Sequence, residues 1–309
     1  MKNNKDLWLS ILVMILWGSL FPFVKIGYTA FNIITTADIL LFAGVRFTVC
    51  GLIITLYCII KDKKLFLPAK ASLVPILWSG VFAIILHYSF TYIGLSMTDS
   101  SKTAILKQVG VLLYVCFSFL FFKEDKLTMR KFIGAVLGFS GIVAINASFT
   151  GLSFHVGDLF VLAASFCTVF SNVISKRVFL ATDPIVATGI SQLFGGIILL
   201  AAGKLFNGSM TPVSGISFAV ISYICFASII SYCIWFTVVK RGELSKLFIV
   251  KFAEPVFACI FSSVLLKENI FKVQYLVSFI LIVIGIYIAN MNKKKPSVFK
   301  CGEKQKLYR

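Results

Sequence analysis

Ten apolar runs follow one another through this chain, and most of them are long enough to cross a bilayer as a helix. They occupy residues 7–28, 39–60, 73–95, 101–122, 132–147, 157–178, 185–206, 216–239, 244–266 and 273–291. A transmembrane helix needs about 20 predominantly apolar residues. The runs lack the alternation of polar and apolar residues that membrane β-strands show. The predicted fold class is therefore an all-α integral membrane protein with ten transmembrane helices.

The composition agrees with a membrane protein, since 59% of the residues are hydrophobic and 14% are charged. Soluble domains contain about 25% charged residues. The formal charge of +18 would suit a nucleic-acid-binding protein, but the positive residues lie in the short gaps between apolar runs and in the tail. We therefore expect a lipid bilayer and a small-molecule substrate as partners, no nucleic acid, and a monomer or homodimer.

The distribution of lysine and arginine predicts the orientation. If the N-terminus lies in the cytoplasm, the inside segments contain twenty-one of these residues and the outside segments contain four. Cytoplasmic loops of membrane proteins are enriched in lysine and arginine. Both termini are therefore predicted to be cytoplasmic, including a basic tail over residues 293–309.

An internal repeat relates the two halves of the chain. Residues 99–146 align with residues 243–290 without a gap, and twelve of the 48 pairs are identical. The charged identities carry the most weight because charges are scarce in this chain. They are Lys102 with Lys246, Lys107 with Lys251, Lys123 with Lys267 and Glu124 with Glu268.

The repeat predicts the domain organisation. Residues 1–148 form a first five-helix unit, residues 149–292 a second one, and residues 293–309 the cytoplasmic tail. Because five is odd, the second unit enters the membrane from the opposite side, which makes a 5+5 inverted repeat. Inverted repeats of transporters place the substrate near the midplane and permit alternating access.

Several short motifs support a family resemblance. They are Leu16-Trp17-Gly18-Ser19, Arg46-Phe47, Lys123-Glu124, Gly138 to Gly141, Glu254-Pro255-Val256-Phe257, Lys267-Glu268 and Gly285. In their order and spacing, the chain resembles the drug/metabolite transporter superfamily, and its EamA family in particular, over almost its whole length. The resemblance implies a secondary transporter of small metabolites, often an exporter and often of amino acids, in the plasma (inner) membrane. Lys107-Gln108 departs from the usual apolar pattern of the fourth helix.

Charged residues deep in the apolar runs are the main candidates for a binding site. Lys107, Lys251 and Arg46 each lie about 10 Å from the nearer end of their helices, counted at about 1.5 Å per residue. We predict that the two lysines face a central cavity and bind a substrate carboxylate or phosphate, and that Glu254, the acid well inside a run, belongs to the same substrate site. In the alternative, Lys107 extends to the interface and Lys251 is neutralised by Glu254, three residues away on the same helix face. Arg46 has an alternative structural role, bonding loop carbonyls or a helix end.

Uncharged side chains complete the predicted substrate site, each with packing or interhelical bonding as its alternative role. These uncharged residues are Trp17, His87, Tyr88, Gln108, Asn172, Gln192, Tyr232 and Trp235. A proton relay is a further possibility for His87. Pro22 and Pro255 are candidate hinges, because proline removes a helical hydrogen bond.

Other classes of membrane protein remain as alternatives to a carrier. A membrane-embedded enzyme would need a catalytic or metal motif, and the sequence contains no H-E-x-x-H, G-x-S-x-G or P-loop pattern. A channel would need rings of charge or a filter sequence, and neither is visible. We therefore expect a protein that is not an enzyme and needs no cofactor or metal.

Overall fold

The structure is a computed structural model that describes residues 4–113, 128–148, 151–152, 154–241, 250–251, 253–270 and 272–290. The first half of the chain contains α1 (Asn4–Ala30), α2 (Thr36–Lys61), α3 (Phe66–Ala71), α4 (Leu73–Gly80), α5 (His87–Met97), α6 (Ser100–Leu106) and α7 (Met129–Asn146). The second half contains α8 (Val156–Ala181), α9 (Pro184–Leu205), α10 (Gly215–Arg241), α11 (Ala253–Leu266) and α12 (Val273–Asn290).

Two short elements depart from the α-helical pattern. A 3₁₀ turn, Lys63–Leu65, follows α2, and a π-helical turn, Val81–Leu86, joins α4 to α5. Two strands of two residues each, β1 (Ala147–Ser148) and β2 (Gly151–Leu152), pair antiparallel between the two halves. This small pair is an exception to the predicted all-α class, and it covers a connection, not a span.

Within the described residues, six helical segments are long and apolar enough to cross a membrane. They are Trp8–Ala30, Thr36–Lys61, Leu73–Met97, Val156–Phe179, Pro184–Leu205 and Gly215–Val238. Three shorter apolar helices are Phe132–Gly141, Ala253–Leu266 and Val273–Gly285. The predicted fourth and ninth helices include residues outside the described ranges, as do the tail 293–309 and the pair Lys123 and Glu124. The count of ten helices therefore stays a prediction.

The structure interrupts two helices that the sequence predicted to be continuous. Lys107 lies in a turn between α6 and a helical stretch over residues 108–113, and Lys251 lies in a turn just before α11. The same backbone bond forms at both breaks. The N–H of Gly110 donates to the Lys107 carbonyl at 3.1 Å, and the N–H of Glu254 donates to the Lys251 carbonyl at 3.2 Å. The two lysines that match in the repeat thus share a local backbone arrangement.

Glycines bring helix backbones together at the interfaces between the halves. A Cβ atom on Gly196 of α9 would lie 2.3 Å from the Thr48 nitrogen of α2. A Cβ atom on Gly285 of α12 would lie 2.6 Å from the Gly134 carbonyl oxygen of α7. Small residues let membrane helices pack at close range. α1 packs against α10 and α11, and α5 packs against α8, so every one of these contacts crosses from one half to the other.

Candidate functional site

A cavity of about 150 Å³ lies among α1, α2, α4, α5, the stretch that follows α6, and α8 to α11. All twelve residues predicted for the substrate site line it: Trp17, Arg46, His87, Tyr88, Lys107, Gln108, Asn172, Gln192, Tyr232, Trp235, Lys251 and Glu254. These residues come from both halves of the chain. The structure therefore brings them together, and their contact with a substrate stays a prediction.

The two lysines approach the same face of α1. The Lys251 ammonium lies 5.5 Å from the ring centroid of Trp17, and the Lys107 ammonium lies 5.0 Å from that of Phe21. Trp17 and Phe21 are four residues apart, so their side chains are neighbours on one helix face. An ammonium over an aromatic ring is attracted by the π electrons, but the ring accepts no conventional hydrogen bond. Since no described residue accepts a hydrogen bond from either ammonium, these donors are available to a ligand within the part of the chain that the structure describes.

Glu254 is the carboxylate of this cavity, and it is 5% exposed. It lies within electrostatic range of Lys107 and Lys251. Among the described residues, however, no carboxylate forms an ion pair with either lysine. The intrahelical ion pair of Lys251 with Glu254, which belonged to the alternative interpretation, does not form here, and α11 begins at Ala253, after the lysine.

The start of α11 at Ala253 also explains why a proline is tolerated at one of the two predicted hinge positions. Pro255 lies in the first turn of α11, where a backbone N–H would have no helical partner and proline is therefore tolerated. Pro22, by contrast, lies inside α1, which continues as one helix from Asn4 to Ala30. Whether either proline acts as a hinge stays a prediction.

Arg46 joins three helices beside the cavity. It is 1% exposed, and its Nε and Nη2 donate to the Ser228 hydroxyl at 3.1 and 2.7 Å. Its Nη1 donates to the Tyr92 hydroxyl. These partners on α10 and α5 replace the loop carbonyls or helix end that the sequence suggested. The arginine thus holds the wall together and adds a fixed positive charge to it.

Aromatic side chains form the part of the wall nearest the lysines. The hydroxyls of Tyr88 and Tyr232 lie 2.5 Å apart. The Trp17 ring lies 5.7 Å from the ring of Tyr232 and 5.2 Å from that of Trp235. Rings in such edge and tilted arrangements attract one another beyond their burial. The cavity therefore combines an apolar surface with exposed cationic groups.

His87 faces the cavity from α5 with one nitrogen fixed. Its Nδ1 lies 2.9 Å from the Ala164 carbonyl oxygen and 3.0 Å from the Thr168 hydroxyl. A carbonyl oxygen accepts hydrogen bonds and cannot donate, so Nδ1 carries the hydrogen. In the neutral ring, Nε2 is then an acceptor. This arrangement is compatible with the proposed proton relay and equally with a purely structural role.

The sequence analysis missed a group of hydroxyl residues in the cavity. Ser79, Thr188, Ser191 and Ser175 all line it, and the Ser79 and Ser175 hydroxyls lie 2.9 Å apart. A signal was available in the sequence, since Thr188, Ser191 and Gln192 fall at positions i, i+3 and i+4 of one helix. Small hydroxyl residues in apolar helices are so common that this spacing alone does not single them out.

Charged residues also meet at the end of the bundle that the charge distribution places outside. The Lys102 ammonium donates to the Asp158 carboxylate at 2.7 Å, and the Lys25 ammonium donates to the Thr98 carbonyl at 2.9 Å. Glu268 accepts from the N–H groups of Ser100 and Ser101 at 2.9 and 3.0 Å. Glu268, which matches Glu124 in the repeat, therefore caps the N-terminus of α6, the helix that precedes Lys107.

Comparison with known proteins matches both halves of the chain to one family. The model of the EamA-like transporter family matches residues 4–147 and again residues 155–291. The uncharacterized transporter YvbV of Bacillus subtilis is 27% identical over 99% of this chain and 97% of its own length. The uncharacterized inner membrane transporter YedA of Escherichia coli K12 is 23% identical over 89% of each chain.

Two further relatives extend the comparison. The WAT1-related protein At3g02690 of Arabidopsis thaliana, described as chloroplastic, is 27% identical over 80% of this chain and 62% of its own. A solved crystal structure superposes with a TM-score of 0.65 at 18% identity, covering 93% of this chain and 97% of the other. At that identity the likeness concerns the fold. With both halves matched by the family, this chain is a multi-pass membrane protein that belongs to the EamA-like transporter family.

Proposed function

We propose that this transporter carries a small metabolite with a carboxylate or another anionic group, by alternating access, as an exporter or exchanger. An amino acid is the favoured substrate, and the plasma (inner) membrane is the favoured location, which the name of YedA supports. One observation carries the proposal. Lys107 and Lys251 border a cavity inside the bundle, and no described carboxylate is paired with either of them.

The energetics favour an anionic ligand. A cationic side chain at the centre of a membrane helix costs about 2.5–3.5 kcal/mol on insertion scales. A ligand carboxylate would recover part of that cost through charge-assisted hydrogen bonds, which are roughly twice as strong as neutral ones. Arg46 already donates to Ser228 and Tyr92. Among the basic side chains of the cavity, Lys107 and Lys251 are therefore the ones whose N–H groups have no described acceptor and can bind a ligand.

The size of the cavity favours a small substrate. A buried apolar cavity of about 150 Å³ holds a molecule the size of benzene. The cavity described here, also of about 150 Å³, thus suits a compact metabolite such as an amino acid. The aromatic wall would contact the body of such a substrate while the lysines contact its carboxylate.

The inverted repeat and the alternating access it permits are part of the proposal. The family match to residues 4–147 and 155–291 supports two units close to residues 1–148 and 149–292. The interfaces pair helices that occupy equivalent positions in the two halves, α2 with α9 and α7 with α12. Transporters of this kind change access by moving one unit against the other around a fixed site.

Uptake by the full-length protein in liposomes tests the proposal. We expect saturable uptake of a radiolabelled amino acid or other small carboxylate, and counterflow when the vesicles are loaded with the same substrate. Counterflow requires a carrier, so its absence alongside rapid uptake would indicate a channel. Chemical conversion of the substrate would indicate an embedded enzyme.

Charge-removing variants test the assignment of the site. Lys107→Gln and Lys251→Gln should each lower uptake of the carboxylate at least about tenfold, which corresponds to about 1.4 kcal/mol of lost binding. Lys61→Gln is the matched control, because Lys61 is exposed at the end of α2. Carboxylate uptake that is unchanged in both cavity variants would exclude the lysines as the anion site.

A further inference from the structure

Part of the cavity lining is uncharged. The charged lining residues are Arg46 on α2, Lys107 in the break after α6, Lys251 in the turn before α11, and Glu254 on α11. The lining residues from α4, α8 and α9 are uncharged, and eight of them carry hydroxyl or amide groups. Those eight are Ser79, Thr168, Ser171, Asn172, Ser175, Thr188, Ser191 and Gln192.

Gln192 has hydrogen-bonding capacity that the protein does not use. It is 0% exposed, and neither its Nε2 nor its Oε1 has a partner among the described residues. A buried polar group without a partner costs about 1–3 kcal/mol, so such groups are rare in folded proteins. Gln108 repeats the pattern, since its Oε1 is also buried without a partner.

Asn172 presents a second amide to the same space. It lies on α8, one turn from Thr168, which contacts His87. It is partly exposed where it lines the cavity, and no hydrogen bond to its side chain forms within the described residues. Two amides with free donors and free acceptors thus belong to the uncharged part of the lining.

Close backbone packing keeps Gln192 in this place. A Cβ atom on Gly51 of α2 would lie 2.8 Å from the Gln192 carbonyl carbon and 2.2 Å from the Leu193 nitrogen. A Cβ atom on Gly80 of α4 would lie 3.0 Å from the Ser191 carbonyl oxygen. Because α9 is held against both neighbours, the amide cannot reach new partners through a shift of its helix.

We propose that Gln192 and Asn172 form a neutral subsite that binds a carboxamide group of the substrate. A carboxamide offers one acceptor and two donors, which matches an amide that has both kinds of atom free. A charged group would find no countercharge among the cavity-lining residues of these helices. The substrate class is therefore a small carboxylate that also carries a carboxamide, with its carboxylate at the lysines. This inference rests on the proposed function, because it uses the same cavity.

A pair of substrates with the same shape tests the subsite. Asparagine and leucine have similar branched side chains, but leucine cannot form the hydrogen bonds. In proteoliposomes containing the full-length protein, we expect asparagine to be taken up at least about tenfold faster than leucine at equal low concentrations. A site that hydrogen-bonds its ligand rejects an analogue without the polar atoms because its own groups are then left unpaired.

Gln192→Leu and Asn172→Leu should each reduce the asparagine-to-leucine uptake ratio toward one. Gln274→Leu, on α12 and away from the cavity lining, is the matched control and should keep the wild-type ratio. The wild-type ratio needs no variant, so the test holds even if one substitution prevents folding.

The outcomes separate the two proposals. Lysine-dependent uptake of carboxylates with no preference for asparagine overturns the subsite and leaves the proposed function intact. A preference that survives in both leucine variants overturns the assignment to these residues. If no carboxylate is transported at all, the proposed function fails, and the subsite fails with it.

Discussion

The hydroxyl of Tyr88 lies 2.5 Å from that of Tyr232, and the two residues are 144 positions apart. The same offset relates Lys107 to Lys251. When two residues related by a two-fold axis touch each other, the axis passes between them. This pair therefore marks the place where the proposed symmetry axis passes through the cavity wall, between the two halves of the chain.

Removing either hydroxyl tests the bond between the tyrosines. Tyr88→Phe and Tyr232→Phe should each lower the free energy of unfolding by about 1 kcal/mol, the usual contribution of a hydrogen bond. The double variant should lose little more than either single one, because both changes remove the same bond. Thermal unfolding of the purified protein in detergent measures this. Fully additive losses would show that the hydroxyls have separate partners.

Replacing Arg46 by lysine tests the link across three helices. Lysine keeps the charge but has a compact ammonium that cannot donate from a wide planar group to both Ser228 and Tyr92. We expect Arg46→Lys to lower the free energy of unfolding by about 2 kcal/mol, since hydrogen bonds from charged donors contribute about 1.5–3 kcal/mol. Arg177→Lys, at an exposed position of α8, is the control. Equal unfolding temperatures for the two variants would contradict the structural role of Arg46.

A pair of glycine variants tests the close approach of α2 and α9. Gly196→Ala places a Cβ atom 2.3 Å from a backbone nitrogen, so the helices must separate. Overpacking of this kind costs about 1–3 kcal/mol. Gly215→Ala adds a Cβ atom that meets nothing within 4 Å and should fold as the wild type does. Folded yield by size-exclusion chromatography compares them, and equal yields would mean that the interface adapts easily.

The ion pair between Lys102 and Asp158 gives a prediction for the other end of the bundle. The Asp158 side chain is 0% exposed, so Lys102→Met leaves a buried carboxylate without its cation. We expect a loss of about 3 kcal/mol, as for other broken buried pairs. Adding Asp158→Asn should recover much of the loss, because it removes the unpaired charge. Lys204→Met, at an exposed position, is the control, and thermal unfolding is the measurement.

The sequence predicted the helices well where apolar length alone determines them. The first, second, third, sixth, seventh and eighth runs each correspond to a described segment long enough to span a membrane. The breaks at Lys107 and Lys251 were not predicted, because each lysine lies inside an apolar run that continues on both sides of it. The breaks depend on packing between helices. The glycines at 189, 196 and 203, spaced by seven residues, indicate a close helix–helix contact on one face of α9. The spacing does not indicate that α2 is the partner helix, because a single sequence carries no information on which helices pair.

For the cavity too, the lining residues were predictable from the local sequence, but their hydrogen-bond partners, which are distant in the sequence, were not. Charge and polarity at depth singled out twelve residues, and all of them line it. Their partners were not predictable, because Ser228 is 182 residues from Arg46 and Tyr92 is 46 residues from it. The alternative pairing of Lys251 with Glu254 was an inference from helical spacing, and it fails where the helix is interrupted.

The charge of the cavity wall has a consequence for the response of the protein to voltage. Three basic groups and one carboxylate leave a formal surplus of two positive charges within the membrane. Moving one elementary charge across the whole membrane changes the energy by about 2.3 kcal/mol per 100 mV. In the proposed alternating-access cycle, a change of access by the empty protein would move both surplus charges relative to the field. A bound monoanion would halve that coupling and a dianion would remove it, whereas a zwitterionic amino acid would leave it unchanged, so the voltage dependence of transport separates these classes of substrate.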